Sequence, residues 1–427
     1  MMPFWTHTRE NKPTRLPINI TLLAPLLVLF GVLLVPCSQA EVRLGEKWVL
    51  SAQGTLGIVY NDDGDARFYR DMSQRKSDFS QLSYQADTRL GLHLSYRPTP
   101  ALSAEIQTLT YYGLSNRFQS KLFSALIRWH FAESWKLRAG MIPLETFYNS
   151  DSIHAGFSYL WARPATEMYN YNIASGYRGL SLEKRFLNGL NQTQLQAFGG
   201  YLGDAVSLDS GEDYDSHHSK IYGGSLKYTL GFTQFSLGYT HFEIDEHTTL
   251  KTDNNLFINA PGDATPTREQ IAFLVTTLAE DYKIDYAYAG VATGLGRWRI
   301  DAAAGTIRSG YLTADGSYNG YISVGYRKQN WTPYIRLSYA HNDGPTRTAI
   351  ELPEFVAQAI LFGARPARAN QTNLALGARF DLADQLAVKL QYNYVRNTEN
   401  PTYLWRNETS DWDGKNQLLS LVMDFTF

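Results

Sequence analysis

From about residue 48 to the end of this chain, apolar and polar positions alternate almost one by one. In "YQADTRLGLHLSY", residues 84–96, one face reads Tyr84, Ala86, Thr88, Leu90, Leu92, Leu94, Tyr96 and the other Gln85, Asp87, Arg89, Gly91, His93, Ser95. Successive side chains of a strand point to opposite faces, so this period of two predicts a wall with an apolar front and a wet back. The rhythm recurs in 48–60 (Trp48, Leu50, Leu56, Ile58, Tyr60), 121–131 (Phe123, Ile127, Trp129, Phe131) and 282–288 (Tyr282, Ile284, Tyr286, Tyr288). It returns in 318–326, 331–339, 372–380 and 386–394. "NQLLSLVMDFTF", 416–427, carries it to a final phenylalanine, with Leu419, Leu421, Met423, Phe425 and Phe427 on one face.

A soluble sandwich shows the same alternation, but two features point to a membrane barrel. Tyr84 and Tyr96 bracket their apolar face twelve steps apart. That is roughly 40 Å at ~3.3 Å per residue, and when tilted it approaches the ~25 Å apolar band of an outer-membrane barrel. Tryptophans also crowd the short connections: Trp129 and Trp135 flank 132–134, Trp298 follows 292–296 and Trp331 follows 328–330. Amphipathic rings suit a membrane–water boundary.

Strands are counted from the connections. Seven are short: 97–100, 132–134, 188–192, 229–231, 292–296, 328–330 and 381–384. With an opening strand at 48–60 and a closing one at 416–427 they predict sixteen antiparallel strands. Longer connections fall alternately at 61–83, 113–119, 143–176, 202–218, 245–281, 309–316, 341–370 and 397–414. Short turns on one rim and long loops on the other match periplasm below and exterior above. "QIAFLVTTL", 270–278, also reads as a strand, which makes eighteen the alternative. The chain must close on itself, because unpaired backbone groups in lipid cost several kcal/mol each.

Residues 1–40 read as a cleaved signal peptide: Arg9, Lys12 and Arg15, the apolar run "LLAPLLVLFGVLLVP", and Ser38 and Ala40 at the exit. The apolar run is short for a membrane span. Cys37, the only cysteine, is expected to leave with it. Removing this segment takes Arg9, Lys12, Arg15 and Glu10 from a chain of net charge −2 and leaves 41–427 at −4. That balance offers no footprint for nucleic acid.

The strand number, the loop plan and the terminal phenylalanine resemble those of Gram-negative porins. "LRAGMIPLETFYNSDSIHAGFSYLWARPATEMYNYNIASGYRGLSLEKRF", 137–186, looks similar to porin-like proteins of gammaproteobacteria. The resemblance implies an outer-membrane channel for small hydrophilic solutes or ions, a homotrimer surrounded by lipid and lipopolysaccharide. It also implies that Phe427 is read by the barrel-assembly machinery and that the third long loop, 143–176, folds inward and narrows the pore. The acidic Pro-Glu-Phe-Gly tip of enterobacterial porins is not present in this loop. A substrate-specific channel for an anion, a sugar or an organic acid on the same barrel is the runner-up.

Sixteen strands leave a water-filled lumen, so inward positions should be polar. Alternation points Arg89 and His93, Arg128 and His130, Lys136 and Arg138, Arg336, Arg379 and Lys389 inward, with Asp87, Glu105 and Gln107. The third loop adds Glu145, Asp151 and Glu167. The expected pore-lining set is Arg89, Arg128, Arg138, Glu145, Asp151, Glu167, Arg336 and Arg379, with wall and loop charges of opposite sign biasing ion flow.

No cofactor or metal is expected. His217 and His218 beside Asp213 and Asp215 lack a closed ligand set, and "NDDGD", 61–65, lacks a full calcium loop. Residues 351–366 have helical spacing and predict a short helix among the loops. An outer-membrane phospholipase-like enzyme is the less favoured class: His241 faces outward near the top of its strand, but Lys220 and Tyr222, not a serine, stand on the matching face of the preceding strand.

Overall fold

Sixteen strands pair antiparallel around a ring, each with its neighbours in sequence. The first eight are β1 (Trp48–Asn61), β2 (Arg89–Thr99), β3 (Leu102–Tyr112), β4 (Phe118–Ala132), β5 (Trp135–Pro143), β6 (Gly176–Asn188), β7 (Asn191–Leu202) and β8 (Lys220–Leu230). The rest are β9 (Thr233–Glu243), β10 (Lys283–Leu295), β11 (Trp298–Ser309), β12 (Ser317–Tyr326), β13 (Trp331–Asn342), β14 (Ala369–Ala383), β15 (Leu386–Asn397) and β16 (Lys415–Thr426). A computed structural model describes residues 41–427 except 75–78, 114, 171–175, 203–205, 208–212, 215–218, 244–282, 310–315, 343–367 and 401.

The ring closes where Gln53–Asn61 of β1 pairs with Leu418–Thr426 of β16. Ala52 and Phe427 then exchange both backbone hydrogen bonds, at 2.7 and 2.8 Å. Among the described residues, two short strands of the same sheet lie outside the ring. Val42–Leu44 turns back at Gly45, whose φ of 76° is left-handed, and pairs with Trp48–Leu50. Leu82–Ser83 pairs with Val59 and Tyr60.

The sixteen-strand count holds, and turns and long connections alternate at the predicted places. Gly189, Gly231 and Gly296, with φ of 60°, 57° and 63°, supply the left-handed residue in three of the short turns. The eighteen-strand alternative is excluded at the ring, since Glu243 of β9 pairs directly with Lys283 of β10. Residues 270–278, 351–366, His217, His218 and 1–40 lie outside the described residues.

Three expectations about facing need correction. Residues 84–88 form a turn before β2, so 84–96 is not one continuous strand; Ala86 is buried inside the barrel and Tyr84 stays exposed. In β4, Leu122 pairs with Thr108 and Ser124 with Gln107. Phe123 is the extra residue of a bulge, which reverses the alternation there and buries its ring against His154, 5.1 Å between centroids. In β10, Tyr286 and Tyr288 are buried inside the barrel, not on the lipid face. Aromatic residues mark a burial surface, and periodicity alone does not say which of two such surfaces it is.

The outer face is apolar and exposed, with Ile58, Leu92, Ile127, Leu180, Leu237, Ile322 and Leu421 in contact with the surroundings. Surface of this extent belongs in hydrocarbon. Aromatic pairs gird the short-turn rim: Trp48 with Tyr96 at 4.6 Å, Trp298 with Tyr326 at 4.9 Å, and Trp331 stacked on Phe380. The hydrophobic core lies within the barrel, where loops pack on the inner faces of β10–β16 and β1.

Candidate functional site

The third loop leaves β5 at Pro143 and returns at Gly176. Its described part, 144–170, has two short 3-10 turns, Ser150–Ser152 and Gly156–Ser158, and one helical turn, Thr166–Tyr169. Regular structure does not hold it; burial does. Phe147, Tyr148, Tyr159, Leu160, Trp161, Met168 and Tyr169 pack on Tyr286, Tyr288, Ala303, Ile307, Tyr321 and Tyr334 of the inner wall. Phe147 meets Tyr286 edge to face at 4.5 Å, and Trp161 meets Tyr321 likewise at 5.0 Å. Tyr148 lies over Gly290, where any β-carbon would collide with its ring.

Wall cations hold five of the loop's carbonyls. Arg336 donates to Arg163 O at 2.9 Å, and Arg379 to Phe157 O at 2.6 Å and Tyr159 O at 3.1 Å. Lys389 donates to Gly156 O at 2.7 Å and Trp161 O at 2.8 Å and is paired with Asp424 at 2.9 Å. A buried cation without such partners would be strongly destabilising. In return, Arg163 of the loop reaches Asp87, and Trp161 Nε1 donates to Ser323 at 2.8 Å. Arg70, from the connection between β1 and β2, joins Asp87 at 3.0 Å and Ile153 O at 3.2 Å. Asn170 donates to Tyr403 O at 3.2 Å, tying the loop to the last long connection.

The eight side chains named from the sequence fall into two sets. Arg89, Arg336 and Arg379 are buried beneath the loop, and Glu167 is buried on the loop's own wall-facing side. Glu167 accepts from Ser338 at 2.8 Å and Gln371 at 2.6 Å, while Arg89 sits 2.9 Å from His154 Nδ1. Arg128, Arg138, Glu145 and Asp151 are partly open to the lumen, together with wall residues Lys136 and Lys227. Arg138 pairs with Glu145 at 2.7 Å, Arg128 with Glu105 at 2.7 Å, and Lys227 with Asp151 at 3.6 Å. Burial works to raise the Glu145 carboxyl, but the Arg138 guanidinium outweighs it and holds the group below the usual range. His154 is pushed well below the ordinary histidine value by burial and then by Arg89 and Arg70, so it is neutral and accepts from Arg89.

Arg70, Arg163 and Asp424 escaped the sequence reading. For Asp424 the signal that could have found it is charge balance: the strand of Lys389 carries no acid, and Asp424 lies on the strand paired with it. Arg70 and Arg163 lie in long connections, where alternation gives no facing. The Asn61–Asp65 stretch is a hydrogen-bonded turn, with Asp65 N donating to Asp63 Oδ1 at 2.8 Å and Asn61 Nδ2 to Asp63 O at 2.8 Å. His241 Nδ1 lies 2.7 Å from Asp285 on the outer face, and its cross-strand neighbours are Tyr222 and Asp285.

No protein-family model and no curated protein matches the sequence. Solved structures do. Outer-membrane expressed OmpT of Vibrio cholerae is 11% identical with a TM-score of 0.53, covering 91% of this chain and 100% of its own. The in-vitro folded trimer form of the same protein is 10% identical with a TM-score of 0.51, covering 90% of this chain and 100% of its own. Salmonella typhi OmpF, in complex with daunomycin, is 12% identical with a TM-score of 0.53, covering 91% of this chain and 100% of its own. With sixteen strands closed into a ring, an apolar exterior and an inward-folded third loop, this chain has the outer-membrane porin fold.

Proposed function

We propose that this protein is a passive diffusion channel for small hydrophilic solutes and ions across the outer membrane. One observation carries the reading. The inner faces of β10–β16 and β1 are covered by loops, whereas the lower inner faces of β2–β9 keep half-exposed polar side chains such as His93, Gln107, Arg128, Lys136, Gln194 and Lys227. Those side chains need water, and a water-lined wall facing a packed loop is a conduit with a constriction. Glu145 and Asp151 stand at the loop's edge of that conduit, opposite Arg138 and Lys227. The chain works after removal of residues 1–40 and assembles as a homotrimer, a reading supported by the likeness to a porin solved in a trimer form.

The amount of lumen given over to loops favours a second reading, a channel selective for one solute class. The apolar cluster of Leu126, Ile142, Tyr177, Phe198, Ile221 and Phe242 on the inner wall adds to it. Planar-bilayer recording on the purified protein tests both. Stepwise conductance that scales with bulk electrolyte supports diffusion, and saturation or block by one solute supports selectivity. Absence of steps from inserted protein would defeat the channel reading altogether.

A further inference from the structure

Resting on the channel reading, we infer that the conducted solutes are small anions, selected by a cationic basin at the short-turn end of the barrel. The basin is a cavity of about 540 Å³ bounded by the Thr99–Leu102 turn, the Glu46–Lys47 turn and the inner faces of β3 and β4. Its charged lining is Lys47, Arg97 and Arg128, with Glu46 as the acid and the His130 ring beside them. Lys136 and Arg185 extend the same surface onto β5 and β6, where Lys136 stands across from Glu183.

The carboxylates of this wall are recessed and the cations stand forward. Glu105 exposes 8% of its side chain against 35% for Arg128, and Glu183 exposes 4% against 18% for Lys136 and 45% for Arg185. The lone pairs of Glu105 are also occupied. Oε1 takes Arg128 Nη1 at 2.7 Å and Ser103 at 3.0 Å, and Oε2 takes Arg128 Nη2 at 2.8 Å. Glu183 is bound by Lys136 and by Arg185 at 3.3 Å. Arg97 donates from Nε to Ser95 at 3.3 Å, which leaves its charge uncancelled by that contact.

A solute crossing this basin therefore meets N–H donors first. An uncancelled cation attracts an anion and repels a cation at close range, less so where water screens it. Guanidinium forks fit carboxylate and phosphate oxygens. Chloride, small carboxylates and phosphate gain from the basin, a neutral sugar gains little, and a cation is repelled.

Reversal potentials under a KCl gradient test this on the complete protein. The parent should favour chloride over potassium several-fold. Arg97→Gln with Arg185→Gln should bring that ratio down at least about twofold, by removing two exposed charges. Lys47→Gln, in a turn outside the ring, should lower it in the same direction and keeps the test independent of wall assembly. A parent that conducts with a ratio of one or a preference for potassium overturns the inference and leaves the channel reading standing. Inserted protein that does not conduct overturns both. Conducting variants with the parental ratio would place selectivity elsewhere and overturn the basin's role.

Discussion

Arg163 of the third loop grips Asp87 of the inner wall, Nε to Oδ1 at 3.0 Å and Nη2 to Oδ2 at 2.5 Å, with both side chains essentially closed to solvent. Arg70 shares the same carboxylate, so one acid ties two loops. Asp87→Asn leaves two buried guanidiniums without their counter-charge, a loss of about 3–5 kcal/mol at that anchor. Single-channel recordings should show a larger, noisier open state. Asp87→Leu with Arg163→Leu should recover part of the quiet behaviour, and equal noise in single and double variants would refute the coupling.

Gly290 leaves room for Tyr148. Gly290→Val forces that ring off the wall and should cost about 1–3 kcal/mol. Gly294, on the same strand, has open space around it, and Gly294→Val should cost little. The temperature at which the folded barrel loses its compact electrophoretic form should drop for the first variant and hold for the second.

Acid should loosen the loop through His154. Its folded value lies below that of the unfolded chain, about 6.5. The unfolded state then binds more protons, so the stabilisation is present above that pH and declines as pH falls through it. Between pH 7 and pH 5, proteolysis of the loop and current noise should rise. His154→Asn should flatten that dependence while retaining an acceptor for Arg89.

The two sets of site residues should respond differently. Asp151→Lys with Glu145→Lys should shift selectivity further toward anions, because both acids stand at the lumen edge. Glu167→Gln should leave reversal potentials unchanged and lower thermal stability by about 1–3 kcal/mol through its bonds to Ser338 and Gln371. A selectivity shift from Glu167→Gln would put that residue in the conduction path.

Phe427 bonds to Ala52 through both backbone groups at the seam. Its removal, or replacement by a charged residue, should reduce insertion while secretion continues. Normal surface amounts of heat-modifiable barrel in the truncated form would count against that role.

Strand number, turn positions and the facing of most wall residues were legible because a lipid-facing side and a water-facing side impose a strict two-residue rhythm. The misread positions have two separate causes. At Phe123 a bulge inserted one residue, and at Tyr286 and Tyr288 the inner face was itself apolar because the loop covers it. The third loop's inward course was implied by the resemblance to porins. Its anchors, Arg163 to Asp87 and Lys389 to Asp424, join residues far apart in sequence, and alternation says which way a side chain points but not what it meets.

The loops load the barrel unevenly. From β10 round to β1 the wall is backed by packed aromatics and buried ion pairs, whereas the lower part of β2–β9 has lipid on one side and solvent on the other. The two arcs should differ in stiffness: one behaves as a spine, the other as a compliant membrane-facing panel. Amide exchange should then be slowest along β12–β16. Lateral pressure from the bilayer would be taken up by the β2–β9 arc, where the strands can tilt without dislodging a plug.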